Sequence, residues 1–336
     1  MRIEPVDLDD EVAFRRWYDA HTAAGAADFP DVPLDPPDEV RGLLRHSSST
    51  RREEAWAASD ENGTVLGGMR LWLPLLENLD AMDVNLFVDP VHRRARVGRA
   101  LLAAARERAR AQGRVRLVGE APEPLSGDGS SPGAAFARAV GARAVHMETL
   151  RVLDVTAVDG AALEVLRKEA LDASAGYEVV QWTGRCPDAL LADVAVLRAR
   201  MSTDAPMGDL NWEPEHWDSA RVQADEDELA ATGRLVLVSA ARELRTGLLV
   251  GNTRMTVSRT EPRVGDQWDT LVLPEHRGHR LGLLLKLANL DLLREHSPGT
   301  ERVNTWNAES NAPMVAVNER LGFRAVQRWR EWQVDA

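Results

Sequence analysis

Two stretches decide the fold of this 336-residue chain, LFVDPVHRRARVGRALL at 86–102 and TLVLPEHRGHRLGLLLK at 270–286. Each runs from an apolar strand pattern through a proline and a basic turn into an Ala/Leu-rich run with helical spacing. Aligned on Pro90 and Pro274, they share a His-Arg pair, a second arginine and a glycine at matching positions. They lie about half a chain apart, so the sequence contains one structural plan twice.

The surroundings of the two stretches repeat as well. Candidate strands joined by a turn precede each stretch, and the Asn62-Gly63 pair is a hairpin signal in the first half. The elements that follow are predicted in one order: a helix at 97–111 and 281–296, a short strand at 115–119 and 302–306, a glycine-ended helix, and a closing strand at 149–155 and 327–334. We therefore predict an α+β fold of two tandem domains, 1–160 and 175–336, each a mixed twisted sheet flanked by helices.

The composition excludes several classes of protein. A formal net charge of −12 argues against a nucleic-acid binder and mildly favours a cationic partner. Cys186 is the only cysteine, so an intrachain disulfide and a cysteine-rich zinc site are excluded. The longest apolar run, 281–293, contains Lys286 and Asp291 and is too short to span a bilayer. The N-terminus lacks a signal-peptide pattern, so we predict a cytoplasmic protein with no membrane segment and no metal site.

The basic turn at 277–282 is typical of an anion site. A strand that runs through a glycine-bearing turn into a helix directs several backbone N–H groups at one point, where the helix dipole adds positive potential. Arginine side chains add permanent charge and forked donors. No G-K-[ST] follows, so the turn is not a P-loop, and two glycines do not make a dinucleotide motif. The competing interpretation is a basic helix N-terminus without a ligand, which two matched copies disfavour.

At these residues the sequence resembles a known family. RGHRLG at 277–282 resembles the acetyl-CoA pyrophosphate loop of the GNAT N-acetyltransferase superfamily, whose pattern is Q/R-x-x-G-x-G/A. WNAESNAPMVAVNERLGF at 306–323 resembles the closing helix of that family. Because of the repeat, the resemblance extends over nearly the whole chain and to the double-domain architecture of mycothiol-synthase-like proteins. That likeness concerns architecture and not substrate.

The resemblance implies an acetyl-CoA-dependent N-acetyltransferase that acts on an amine of a small molecule. It implies that the following residues surround the CoA: Thr270, Leu271, Val272, Arg277, Gly278, His279, Arg280, Leu281, Gly282 and Asn311. The first half departs from the pattern more than the second, because Arg94 stands where the second half has Gly278. We expect this one-glycine loop to crowd a phosphate, which favours catalysis in the C-terminal half and a structural or weakly CoA-binding N-terminal half.

The family chemistry is direct attack of an amine on the thioester. The resemblance implies that backbone N–H groups near Leu271 and Val272 polarise the acetyl carbonyl. The position where many members carry a tyrosine acid is Asn318, which can donate a hydrogen bond to the thiolate but cannot transfer a proton at neutral pH. Asp269 and Glu309 are the candidate bases, and each is also open to interpretation as a solvated carboxylate.

Two other functions stay open at this point. The missing tyrosine is compatible with a CoA-binding regulatory or scaffold protein whose transferase activity has decayed. The phosphate-type loop alone is compatible with a nucleotide-binding module unrelated to CoA. The sequence does not identify the acceptor or the oligomeric state.

Overall fold

The structure of the protein is a computed structural model that describes residues 1–30, 32, 34–46, 48–126, 130–204 and 208–336. These residues form strands β1 (Arg2–Pro5), β2 (Arg51–Ser59), β3 (Val65–Pro74), β4 (Ala81–Val88), β5 (Arg116–Pro124), β6 (Arg143–Asp154), β7 (Tyr177–Thr183), β8 (Arg234–Glu243), β9 (Leu249–Ser258), β10 (Val264–Val272), β11 (Arg302–Ala308) and β12 (Arg324–Asp335).

The described residues also form the helices α1 (Glu11–Asp28), α2 (Pro37–Arg45), α3 (Val97–Ala111), α4 (Pro132–Ala139), α5 (Gly160–Ala173), α6 (Leu191–Asp204), α7 (Ser219–Ala231), α8 (Leu281–His296) and α9 (Ala312–Leu321). Short 3₁₀ turns at Pro90–His92 and Pro274–His276 precede the two basic turns. The arrangement confirms the predicted α+β class. In the described part of the chain, no helix is long and apolar enough to cross a membrane.

One compact unit lies within residues 1–147, 208–211 and 327–336. Its strands follow the order β1-β2-β3-β4-β5-β12, with β4 and β5 parallel and the other described pairs antiparallel. Leu101 and Ala105 of α3 are fully buried in one core cluster with Met69 and Leu71 of β3. The alternation of apolar residues along β3 therefore places one face of the sheet against this helix.

The second compact unit lies within residues 148–207 and 212–326. Its strands follow the order β6-β11-β10-β9-β8-β7, with β10 and β11 parallel. Helix α8 is buried on nearly every side, because it packs on the sheet and α5 packs against it. This double packing explains why the run at 281–293 is apolar on most of its sides.

The two halves of the sequence exchange their closing strands. β12 ends the second half but pairs with β5 of the first, from Gln327 opposite Pro124 to Asp335 opposite Arg116. β6 ends the first half but pairs through residues 148–154 with β11 of the second. The compact units therefore differ from the predicted boundaries. A hydrophobic pattern identifies a strand but does not identify the strand that pairs with it. Because the two closing strands occupy equivalent positions in the repeat, the sequence does not show which half each of them joins.

In each unit the two parallel strands part after a short paired segment. β4 and β5 pair only through Ala81–Asp83 and Arg116–Val118, and β10 and β11 pair only through Val264–Asp266 and Arg302–Asn304. Beyond these pairs, no ladder pairing joins the two facing edges within the described residues, and in the second unit only the hydroxyl of Thr305 still donates to the carbonyl oxygen of Gln267, at 3.3 Å. Each unit thus contains a gap beside the strand that leads into its basic turn.

Candidate active site

A β-bulge interrupts β10 beside this gap. Gln267 lies opposite Met255 of β9 and Thr270 lies opposite Thr253, so β10 takes three steps where β9 takes two. The extra residue falls at 268–269, and a bulge leaves backbone groups there unpaired and re-aims the side chains. The matching strand β4 pairs with β3 in continuous register. The bulge therefore distinguishes the second unit from the first.

The basic turns after β4 and β10 have the same backbone conformation. Arg94 and Gly278 have φ values of 66° and 89°, and Arg96 and Arg280 have 65° and 53°, all in the left-handed region. Arg94 thus adopts the conformation of the glycine it replaces, at a cost of about 1 kcal/mol. The single glycine of the first turn therefore does not change the backbone shape of that turn.

The space in front of the following helix does differ between the halves. A Cβ placed on Gly282, in the first turn of α8, would meet no atom within 4 Å, whereas one on Gly98 of α3 would lie 3.3 Å from the ring of Phe136. Arg280 precedes α8 and its side chain makes no capping hydrogen bond. An uncapped helix N-terminus with open space beside it suits an anion.

The side chain of Arg277 holds the turn in place. Its Nε donates to the carbonyl oxygen of Val272 at 3.0 Å, and its guanidinium lies 3.1 Å from Asp204 at the end of α6. Arg93 makes equivalent contacts in the first half, with the two oxygens of Asp28 at 2.9 Å. The arginine of each His-Arg pair therefore stabilises its turn. The guanidinium of Arg277 is already paired with the carboxylate of Asp204.

His279 and Arg280 are exposed on the outer side of the turn. Arg280 forms an ion pair with Glu169 of α5. The hydroxyl of Tyr177 lies 3.0 Å from Nδ1 of His276, and the Tyr177 ring centroid lies 5.2 Å from that of His279. These contacts join the turn to β7 and α5, so its position is fixed from both sides.

The segment Thr270–Val272 borders the gap on the β10 side. One edge pairs with β9, and the hydroxyls of Thr270 and Thr253 lie 2.7 Å apart. The other edge, which faces β11, has no described strand partner. Asn311 lies where α9 begins after β11, and its side chain makes no capping hydrogen bond. The predicted residues from 270 to 311 thus lie on the elements that bound one gap.

Asn318 is fully buried in α9 and is held by β11. Its Nδ2 donates to Asn307 Oδ1 at 2.6 Å, and its Oδ1 is buried without a hydrogen-bond donor among the described residues. Turning both amides over preserves the mutual bond and places an N–H of Asn318 at the buried position of the present Oδ1, since the O and N atoms of an amide have nearly the same shape. Either way, this side chain is a rigid hydrogen-bonding group that carries no transferable proton.

The two candidate bases have different surroundings. One oxygen of Glu309 accepts a hydrogen bond at 2.8 Å from Arg151, a buried residue of β6, although most of the Glu309 side chain is exposed. Asp269 lies in the bulge, half-buried, where its charge acts on Arg198 of α6. Asp269 therefore lies beside the unpaired edge of β10, whereas the Glu309 carboxylate is bound by Arg151.

Three buried basic residues of the second unit, Arg254, Arg198 and Lys286, were not predicted as functional from the sequence. Arg254 of β9 and Arg198 of α6 both contact Asp225 of α7. Lys286 of α8 is 3% exposed, with Nζ 5.6 Å from the centroid of the Phe323 ring, and burial lowers its pKa to about 7. Two features of the sequence could have indicated these buried charges. Arg254 lies in a predicted strand between other strands, and Lys286 lies within an apolar helix.

Comparison with known proteins agrees with this geometry. The model of the "Acetyltransferase (GNAT) family" matches residues 15–123. A mycothiol acetyltransferase of Salinispora tropica is 31% identical over 91% of this chain and 87% of its own length. A mycothiol acetyltransferase of Salinispora arenicola is 29% identical over 98% of this chain and 92% of its own length.

A solved structure gives the same result at the level of the fold. A tandem GNAT protein from the clavulanic acid biosynthesis pathway superposes with a TM-score of 0.82 and 32% identity, over 99% of this chain and 98% of its own. The family model covers part of the first half, and the full-length relatives extend the likeness through the second. The chain is thus an acyltransferase that belongs to the GNAT acetyltransferase family, with two such domains in tandem.

Proposed function

We propose that the protein transfers the acetyl group of acetyl-CoA to an amine of a small molecule, and that the reaction takes place in the gap between β10 and β11. The observation that carries this assignment is the bulge at 268–269 of β10. It lies beside an unpaired strand edge, and the register of β4 has no such shift. The relatives named as mycothiol acetyltransferases favour acetyl transfer in general and do not define this acceptor.

The turn and the first residues of α8 would hold the pyrophosphate of the cosubstrate. The open space at Gly278 and Gly282 fits a phosphate, since a side chain atom at either position would meet nothing within 4 Å. Backbone N–H groups of 278–282 would be the main donors, because Arg277 is already paired with Asp204. His279 and Arg280 would flank the phosphates from the solvent side. The pantetheine arm would then pair with the free edge of 270–272, beside Asn311.

Acyl transfer requires stabilisation of the negative charge that develops on the carbonyl oxygen. The backbone N–H of Val272, on the free edge of β10, would donate to that oxygen, because Leu271 directs its own N–H towards β9. Preorganised donors of this kind are often the largest catalytic contribution. Asp269 would accept the proton of the amine. Asn318 is fully buried and bonded to Asn307, so it would hold β11 and α9 together beside the gap, and water would supply the proton of the leaving thiolate.

The proposal is tested by the release of free CoA thiol from acetyl-CoA with a panel of small amines. We expect turnover by the wild type and a loss of about a hundredfold or more in kcat for Asp269→Asn, with Glu309→Gln within about threefold of wild type. Equal losses in both variants would contradict the choice of base. CoA binding without turnover of any amine would instead indicate the regulatory function.

A further inference from the structure

The buried arginines of the second unit form an unusual cluster on the face of β9 that α6 and α7 cover. Arg254 and Arg198 both donate to one atom, Oδ2 of Asp225, at 2.6 and 3.3 Å. The two arginine side chains are 7% and 6% exposed. Two guanidinium groups therefore share one carboxylate oxygen in a site that is almost closed to water.

This cluster has more donors than acceptors. A guanidinium carries five N–H donors, and a buried donor without an acceptor costs about 1–3 kcal/mol. Within the described part of the chain, Arg254 Nε is buried without an acceptor. Burial and the charge of Arg254 lower the pKa of Arg198, while the charges of the nearby Asp225, Asp269 and Glu226 raise it. A further hydrogen-bond acceptor, such as a carboxylate oxygen, would pair with the buried Nε of Arg254.

Two tryptophan rings lie against the arginine cluster, and one of them belongs to the bulge beside the proposed reaction site. The Arg254 guanidinium lies 5.4 Å from the ring centroid of Trp268, and Arg198 lies 5.2 Å from that of Trp217. Trp268 is 50% exposed and belongs to the bulge, adjacent in sequence to Asp269. The charge of Asp269 acts on Arg198. The bulge therefore brings a carboxylate, an exposed indole and the buried arginines to one face of the sheet.

We propose that the acceptor is an amino acid, whose carboxylate binds Arg254 and Arg198 while its ammonium group faces Asp269. The assignment rests on the proposed function of this gap. A carboxylate matches the forked donors of arginine, and Asp269 takes the proton that frees the amine. The amine nitrogen then forms a bond to the thioester carbon, the C–S bond breaks, and the thiolate takes up a proton to leave as CoA thiol.

The test compares amines that differ only in a carboxylate. Release of CoA thiol is measured with L-lysine against cadaverine, L-ornithine against putrescine, and the remaining standard amino acids against their decarboxylated forms. We expect at least one amino acid to exceed its decarboxylated partner by about tenfold or more in kcat/KM. Arg254→Gln should raise the KM for that amino acid about ten- to a hundredfold and change that of the partner by less than about twofold. Arg263→Gln, an exposed arginine paired with Glu301, is the matched control.

A measurement on the unmodified protein covers the case in which Arg254→Gln does not fold. Calorimetric titration of the CoA-bound wild type with the same pairs should detect the amino acid and not its decarboxylated partner. Equal turnover of both members of every pair would overturn the proposal while leaving acetyl transfer intact. So would acetylation of amines alone, or the absence of any amino-acid binding to a protein that binds CoA. Failure to bind CoA would contradict the proposed function itself.

Discussion

Gly282→Asp should separate the stability of α8 from the binding of CoA. The substituted position is in the first turn of an uncapped helix with no atom within 4 Å of its Cβ, so the new side chain fits without a clash. A carboxylate there interacts favourably with the helix N-terminus, by about 0.3–1 kcal/mol. The same carboxylate at about 5 Å from a phosphate charge costs about 3 kcal/mol at an effective dielectric constant of about 20.

The expected result is a melting temperature at or above that of the wild type, with CoA affinity lower by about a hundredfold or more. Gly282→Asn is the neutral control of nearly equal volume. Arg94→Asp places a carboxylate in the first turn, with a charge change of two units instead of one, and adds no new left-handed strain because Arg94 already has φ 66°. Calorimetry measures the Kd, and thermal unfolding measures the stability. If Gly282→Asp and Gly282→Asn bind CoA equally well, α8 does not hold the pyrophosphate. Loss of binding in Arg94→Asp alone would move the site to the first half.

Three further predictions concern the rest of the molecule. Burial lowers the pKa of Lys286 to about 7, so the folded protein binds fewer protons than the unfolded chain between about pH 7 and pH 10 and its stability rises with pH across that window. Lys286→Leu should therefore stabilise about 2–3 kcal/mol more at pH 6 than at pH 9 in urea unfolding, whereas an equal gain at both would disprove the buried charge. Asn318→Ala leaves the amide of Asn307 without its partner and should lower the free energy of unfolding by about 1–3 kcal/mol, and an unchanged urea midpoint would contradict that bond. A fragment of residues 1–160 lacks β12 and should show no cooperative unfolding transition, while co-expression with a peptide of residues 324–336 should restore one.

Much of the local structure could be predicted from the sequence. The helices predicted at 97–111 and 281–296 have those bounds in the structure, because a left-handed residue precedes each and a polar C-terminal turn follows each. The strand predicted at 302–306 extends two residues further, to Ala308. These elements depend on hydrophobic periodicity and on glycine and proline positions, which a single sequence displays.

The features that require contacts between distant residues could not be predicted. The bulge at 268–269 depends on the register of β10 against β9, which shifts by one residue with no local signal. The pairing of Arg254 with Asp225 depends on how α7 packs on the sheet. That Arg94 takes up the left-handed conformation of its glycine counterpart was equally beyond local reasoning, and the expected crowding of a phosphate in the first turn stays a prediction.

The exchanged strands set the order of events during synthesis. β5 cannot pair with β12 until β12 has left the ribosome, about two hundred residues later. This delay lasts roughly 10–40 s at 5–20 residues per second. During that interval the edge of β5 is exposed and the buried Glu123 lacks Arg330, its forked partner at 2.7 and 3.0 Å. The first half therefore completes its sheet only after β12 has been made. Loss of the first active site in evolution would not release that half from selection, because the second half supplies a strand to it and takes one in return.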